Sequence, residues 1–180
     1  MSPGILAAAL VSVLAAGCVA PTVEVLGDSI SAYSAEAIVA GLEPTSSRVV
    51  ATPSMATEDM APQAGTATVA VIELGANDVW RGQPAAEAIQ EISAVAAGYL
   101  QRGSKCVVFV TLPTATGLPG LDAGFRELNV WFRARPYVAD YGHHLDADVG
   151  YTTDGLHPTE AGQRLLASLI REQVDRCLES

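Results

Sequence analysis

Positive charge is scarce in this chain of 180 residues. It has one lysine, Lys105, and nine arginines against 20 acidic residues, so its formal net charge is −10. The cationic residues are scattered and form no basic cluster. Nucleic acids and anionic membrane surfaces are bound through clustered cationic side chains. The composition therefore argues against a nucleic-acid partner and against docking on an anionic lipid surface.

The motifs of common cofactor and metal sites are also missing. The sequence has no P-loop, no dinucleotide-binding glycine fingerprint, no H-E-x-x-H pair and no closely spaced cysteine pair. His143 and His144 are adjacent at a predicted strand start, lack a cluster of further ligands and are interpreted as structural. We expect neither a metal ion nor a cofactor.

Long apolar runs are scarce as well. Residues 5–16 form an uncharged, mostly apolar run of twelve, which is too short to span a bilayer comfortably and matches the core of a signal peptide. It ends in Leu14-Ala15-Ala16-Gly17-Cys18, which resembles a bacterial lipobox with Cys18 as the lipidated residue. A buried first helix is the alternative, but the run has no polar face. We predict a signal segment over residues 1–18 and an exported protein, either secreted or tethered to the cell envelope through Cys18.

The rest of the chain is typical of a globular protein, with 49% hydrophobic and 17% charged residues. Its hydrophobic pattern predicts alternating strands (22–26, 48–51, 66–74, 105–112 and 142–146) and helices (31–42, 56–63, 84–101, one capped by Asp122, and 159–177). Such alternation favours a parallel sheet covered by helices on both faces. We predict one α/β domain over residues 19–180, a three-layer α/β/α arrangement with five parallel strands.

Besides Cys18, the chain has two cysteines, Cys106 and Cys177. An exported protein meets an oxidising compartment, in which disulfides persist. Cys106 opens a predicted strand, and Cys177 ends the last helix, which should run back to the same edge of the sheet. We predict a disulfide between them, and two separate buried thiols are the alternative.

Three short polar motifs fall at the ends of predicted elements, where α/β sheets carry their active groups. Gly27-Asp28-Ser29 follows the first strand, Gly75-Ala76-Asn77-Asp78 follows the third, and Asp154-Gly155-Leu156-His157 precedes the last helix. A serine at a strand-to-helix turn places its N–H at a helix N-terminus, where it can stabilise an oxyanion. A histidine oriented by an aspartate can take the serine proton, and an asparagine amide can donate to the same oxyanion.

Each motif alone also has a purely structural interpretation, such as a capping serine or an Asx turn. Together they supply a nucleophile, a base, an orienting carboxylate and an oxyanion donor.

In these motifs the chain resembles the SGNH (GDSL-type) hydrolase superfamily, and the resemblance covers essentially everything after the signal segment. It implies a flavodoxin-like sheet, a catalytic triad of Ser29, Asp154 and His157, and an oxyanion hole that includes Ser29 and Asn77. Members of the family cleave carboxylic esters or thioesters, or transfer acyl groups. The family's second sequence block usually supplies a glycine N–H to the oxyanion hole, but residues 52–57 contain no glycine. By spacing, Ala56 is the expected donor, and Met55 is the alternative.

We therefore expect a serine esterase that hydrolyses carboxylic esters through an acyl-enzyme at Ser29. Its expected substrate is a small acyl ester or an acylated glycan, since the short connections leave no segment for a lid. Trp80, three residues after Asn77, is a candidate for the wall of the substrate groove. Two alternatives remain: an acyltransferase acting on envelope glycans, and a non-catalytic envelope lipoprotein with the same fold.

Overall fold

The computed structural model describes residues 20–180. The predicted signal segment and Cys18 lie outside these residues. None of the helices in the described part of the chain is both long and apolar enough to cross a membrane.

A five-stranded parallel sheet forms the centre of the fold, in the order β2-β1-β3-β4-β5. The strands are β1 (Thr22–Gly27), β2 (Ser46–Ala51), β3 (Val69–Glu73), β4 (Cys106–Val110) and β5 (Val138–Ala139). The inner strands β3 and β4 are buried along their whole length, because helices cover both faces of the sheet. This is the flavodoxin-like order, and it confirms the predicted fold class. Its switch point lies between β1 and β3, where the chain reverses its direction across the sheet.

Eight α-helices surround the sheet within residues 20–180. They are α1 (Ser29–Tyr33), α2 (Ala35–Gly41), α3 (Thr57–Met60), α4 (Ala76–Trp80), α5 (Ala85–Gln101), α6 (Pro119–Arg133), α7 (Tyr141–Ala147) and α8 (Glu160–Glu179). Helix α2 packs against α8, and α5 packs against α6. Apolar side chains of these helices and of the strands form one continuous core.

The predicted strand at 142–146 was wrong. These residues belong to helix α7, and β5 is the two-residue strand that precedes it. Tyr141 and Leu145 are buried four residues apart, which is the spacing of one helix face. His143 and His144 therefore lie on a helix and not at the start of a strand.

The predicted N-terminus of α6 was also wrong. The helix begins at Pro119, a residue type common at the first helical position, and Asp122 lies in its first turn. The Asp122 carboxylate does not cap the helix. It accepts hydrogen bonds from the N–H (2.9 Å) and hydroxyl (2.6 Å) of Thr116 and so closes the preceding loop.

A disulfide joins Cys106 to Cys177, with a Cα–Cα distance of 6.4 Å. Cys106 is the first residue of β4, and Cys177 lies near the end of α8. The helix runs antiparallel to the strands, so the bond ties its end to the edge of the sheet opposite the carboxyl ends of the strands.

Reduction of this disulfide should lower stability without changing the active-site edge. The cysteines are 71 residues apart, for which the chain-entropy model gives a stabilisation of about 4 kcal/mol. Urea unfolding with and without reductant measures the loss. The double variant Cys106→Ser/Cys177→Ser is the control, because its unfolding free energy should be low and insensitive to reductant. Equal stability of the wild type in both conditions would contradict the prediction.

Candidate active site

The turn between β1 and α1 presents Ser29 at the start of a helix. Asp28 is the N-cap residue, and its Oδ1 accepts the N–H of Ile30 at 3.2 Å. Glu73 Oε2 accepts the N–H of Ser31 at 3.1 Å. Within the described part of the chain, these two carboxylates accept hydrogen bonds from the second and third N–H groups of α1. The Ser29 N–H, at the first helical position, is thus the one available to a ligand.

Ser29, His157 and Asp154 form a continuous hydrogen-bonded relay. Ser29 Oγ lies 3.1 Å from His157 Nε2, and His157 Nδ1 lies 2.6 Å from Asp154 Oδ2. With a carboxylate beside Nδ1, the proton of the neutral ring belongs on Nδ1, and Nε2 can accept the proton of the serine hydroxyl. This is the tautomer that a general base requires.

The loop that carries His157 is fixed by its own backbone. Asp154 Oδ1 accepts the N–H of Leu156 (3.0 Å) and of His157 (2.8 Å), and Thr153 N–H donates to the His157 carbonyl at 2.8 Å. Partial burial disfavours the charged form of Asp154. The hydrogen bonds from the His157 ring and from the two N–H groups outweigh that effect, and they hold the pKa of Asp154 below its ordinary value. The aspartate therefore remains ionised beside the imidazole.

Asn77 lies in the first turn of α4, the helix that follows β3. Its Nδ2 donates one hydrogen bond to Asp28 Oδ2 at 3.0 Å, which orients the amide and leaves its second hydrogen for a ligand. Burial raises the pKa of Asp28 to about 6, and the charge of Asp78 acts in the same direction. Gly75 has φ +109°, and a Cβ there would come within 2.9 Å of Leu128. This turn into α4 therefore favours glycine.

An open cleft of about 490 Å³ lies over the relay. Trp80 (62% exposed) and Tyr33 (52% exposed) present aromatic surface to solvent at this cleft. The Tyr33 ring also packs edge-on against the His157 ring, with centroids 5.4 Å apart. The cleft is lined by Ser29, Tyr33, Pro53, Ser54, Ala76, Asn77, Trp80, Arg81, Leu156 and His157.

Among residues 20–180, no group of histidine, cysteine, aspartate and glutamate side chains is arranged to hold a metal ion. A second groove, of about 400 Å³ and largely apolar, lies beside Cys106 at the far end of β4. It contains none of the relay residues, which makes the cleft above Ser29 the candidate site.

No family model matches the chain, and no curated protein matches its sequence. Solved structures do match. A lipolytic protein of the G-D-S-L family from Veillonella parvula superimposes with a TM-score of 0.75 at 19% identity, covering 86% of this chain and 98% of its own. The catalytic domain of peptidoglycan O-acetyltransferase A from Streptococcus pneumoniae gives 0.69 at 18% identity (89% and 95% covered). Esterase EstA from Pseudoalteromonas gives 0.61 at 16% identity (89% and 100% covered). The chain has the SGNH (GDSL) hydrolase fold.

The N–H of Ala56, in residues 52–57, is expected from the sequence to be a further oxyanion donor, but the structure does not place it at the cleft. The Ala56 N–H donates to Asp59 Oδ2 at 3.1 Å, as the N-cap of α3, and Ala56 does not line the cleft. The Met55 N–H donates to the Thr52 carbonyl at 3.4 Å. Neither N–H is thus an unoccupied donor, because this segment uses both to close its own turn. Among the described residues, the unoccupied N–H groups at the cleft include the Ser29 backbone N–H and the second amide hydrogen of Asn77.

Two residues of the segment 52–57, Pro53 and Ser54, line the cleft, and Ser54 has a left-handed backbone conformation with φ +67°. Arg81 holds it there: one guanidinium nitrogen donates to the Ser54 carbonyl at 2.7 Å, and another bonds Asp59 Oδ2 at 2.8 Å. The arginine thus clamps the loop that forms one wall of the cleft.

The structure brings together around the cleft the residues predicted from the sequence: Ser29, Asp154, His157, Asn77 and Trp80. Tyr33, Ser54 and Arg81 also line the cleft but were not predicted. Tyr33 had a usable signal, because it lies four residues after Ser29 and thus on the same helix face. Nothing in the local sequence indicates the positive φ of Ser54, since left-handed residues are typically glycine or asparagine.

Replacing Ser54 by glycine should preserve or raise stability. It removes a left-handed strain of roughly 1–2 kcal/mol and adds a glycine entropy cost of about 0.5–1 kcal/mol. Ser54→Val is the matched opposite, since a β-branched side chain tolerates this conformation poorly, and it should lose about 1 kcal/mol or more. Urea unfolding of both variants measures the difference. A valine variant as stable as the glycine variant would contradict the assigned backbone conformation.

Proposed function

We propose that the protein is a serine hydrolase that cleaves carboxylic esters through an acyl-enzyme. The observation that carries this proposal is the Ser29–His157–Asp154 relay, with heavy-atom distances of 3.1 Å and 2.6 Å, located beside two hydrogen-bond donors at an open cleft. The SGNH fold supports it, because the matching structures include lipolytic proteins, an esterase and an O-acetyltransferase domain.

In the proposed reaction, His157 Nε2 takes the hydroxyl proton as Ser29 Oγ attacks the ester carbonyl. The negative oxygen of the tetrahedral intermediate accepts hydrogen bonds from the Ser29 N–H and the Asn77 amide. One such donor typically lowers the barrier by roughly 3–4 kcal/mol. The imidazolium, stabilised by Asp154, returns the proton to the departing alcohol and leaves Ser29 acylated. Water, deprotonated by the same histidine, then releases the acid.

The cleft favours short acyl esters or acyl groups carried on a polymer. It is open to solvent, and its two exposed rings, Tyr33 and Trp80, offer flat surfaces to an extended substrate. The connection that borders it, residues 52–56, is short and held down by Arg81.

Transfer of the acyl group to a sugar hydroxyl is a second candidate. It needs the same acyl-enzyme, and it differs only in the nucleophile that resolves it. Two observations favour acyl transfer as a candidate function. The fold is similar to that of a peptidoglycan O-acetyltransferase domain, and the cleft is open and leaves space for an acceptor. Adding a glycan acceptor to the esterase assay separates the two activities, because only a transferase forms acylated glycan.

We further propose that the enzyme works outside the cytoplasm. The Cys106–Cys177 disulfide supports this location, since such bonds persist in oxidising compartments. The apolar segment and Cys18, as read from the sequence, point to the cell envelope.

Ser29→Ala should reduce ester hydrolysis to the uncatalysed background and abolish labelling by a fluorophosphonate, because the attacking oxygen is removed. The test is covalent labelling followed by mass spectrometry of the labelled peptide. Ser93→Ala is the matched control: Ser93 lies on α5 outside the cleft and should label and turn over like the wild type. Unlabelled wild-type protein would instead favour the non-catalytic alternative.

Trp80→Ala should weaken binding of extended substrates with little effect on the chemical step. The exposed ring lies at the cleft but makes no hydrogen bond within the relay. Loss of one stacking contact of about 1 kcal/mol corresponds to a rise in KM of roughly fivefold. Val130→Ala, another exposed apolar residue but on α6 outside the cleft, is the control. An unchanged KM across small and polymer-borne esters would remove Trp80 from the substrate site.

A further inference from the structure

A buried carboxyl group lies directly beneath the nucleophile turn. Glu73 is the last residue of β3, fully buried, and pairs in register with Gly27 at the end of β1. Its Oε2 accepts the N–H of Asp28 at 3.3 Å and the N–H of Ser31 at 3.1 Å. These two residues flank Ser29, so one oxygen atom holds the backbone on both sides of the nucleophile.

Within residues 20–180, this carboxyl group has no cationic partner. None of the ion pairs among residues 20–180 involves Glu73, and its Oε1 makes no hydrogen bond there. The groups that face it are acidic or neutral: Asp28 from the nucleophile turn, the Ser31 hydroxyl from α1 and the Tyr141 phenol from α7. Asp78 on α4 and His157 lie beyond Asp28, whose charge they influence.

The surroundings therefore oppose a charge on Glu73. Burial, followed by the negative charge of Asp28, raises the pKa of Glu73 well above its usual value. Burial of the Tyr141 side chain, followed by the negative charge that Glu73 carries when ionised, raises the pKa of Tyr141. A neutral carboxyl group still accepts both backbone hydrogen bonds through its carbonyl oxygen.

A second buried glutamate shows the contrast. Glu24 on the neighbouring strand β1 is equally buried, but it pairs with Arg48 and accepts hydrogen bonds from Tyr99 and from the Gly65 N–H. Although burial opposes its charge, these partners lower the pKa of Glu24. Glu24 is thus an ionised residue in a structural network near the opposite end of β1, whereas Glu73 lies without a cation under the proposed nucleophile.

We propose that Glu73 is a positioning residue for Ser29, which fixes the nucleophile turn as a neutral acid and disables the site when it ionises. The inference rests on the proposed serine mechanism. An ionised Glu73 would put a second negative charge beside Asp28, close to where the oxyanion forms, and like charges there oppose its formation. Activity should therefore be complete while Glu73 is protonated and decline as the pH rises through its pKa.

Two variants separate the acceptor role from the charge. Glu73→Gln keeps a carbonyl oxygen for both N–H groups but cannot ionise, whereas Glu73→Leu removes the acceptor. Glu24→Gln is the matched control for loss of a buried carboxylate elsewhere in the sheet. For each protein, kcat, KM and the rate of fluorophosphonate labelling at Ser29 are measured from neutral to alkaline pH, together with thermal unfolding.

Glu73→Leu should lower kcat and the labelling rate by about 10- to 100-fold with little change in KM, because a small displacement of the nucleophile is enough. Glu73→Gln should match the wild type at neutral pH and lose the alkaline decline. Glu24→Gln should lose stability but keep the wild-type kcat and pH profile.

Three results would overturn the inference. A folded Glu73→Leu protein with wild-type kcat removes the positioning role. A Glu73→Gln protein whose alkaline decline equals that of the wild type removes the role of neutrality, and this comparison decides the matter if the leucine variant fails to fold. Failure of the wild type to label at Ser29 is distinguishable from both, since it overturns the proposed function and the positioning role with it.

Discussion

The register of β1 against β3 is the constraint on which the site depends. It sets Gly27 opposite Glu73, so the ends of the two central strands lie side by side at the switch point of the sheet. Gly27 leaves room for this arrangement, because a Cβ there would overlap the Ser31 side chain and come within 2.9 Å of Glu73 Oε2. The helix that starts with Ser29 can therefore sit directly over the end of β3, which also delivers Asn77.

Helix α8 links this site to the opposite edge of the sheet. It begins beside His157, where the Thr159 side chain caps it by accepting the N–H of Gly162, and it reaches Cys177 near its end. A 20-residue helix spans about 30 Å, which is roughly the depth of a small domain. The disulfide fixes the C-terminal end of α8 to β4. The histidine loop at the other end is thus held against the sheet by packing along the whole helix, and not by the loop alone.

Much of this arrangement is readable from the sequence, because its causes are local. Near-continuous apolar runs predicted β1, β3 and β4, and the three polar motifs at element ends predicted which side chains meet. The features that were missed depend on contacts across the fold. Strand β5 has only two residues and therefore no hydrophobic pattern of its own. The Ala56 N–H donates to Asp59 because α3 needs a cap. In the sequence Glu73 is one residue of an apolar strand, and its position beside Gly27 follows only from the pairing of β3 with β1.

The carboxylates around the proposed oxyanion hole show why those non-local contacts matter. Asp28, Glu73 and Asp78 are all fully buried, and each accepts backbone N–H groups from the loops that frame the cleft. Three negative charges so close to a developing oxyanion would oppose catalysis, yet the loops need acceptors that do not move. The raised pKa of Glu73 reduces this conflict, because a carboxyl group in its neutral form still accepts hydrogen bonds. Burying these three carboxyl groups costs folding free energy. On the proposed serine mechanism, this loss of stability is the consequence of holding Ser29 in a fixed position.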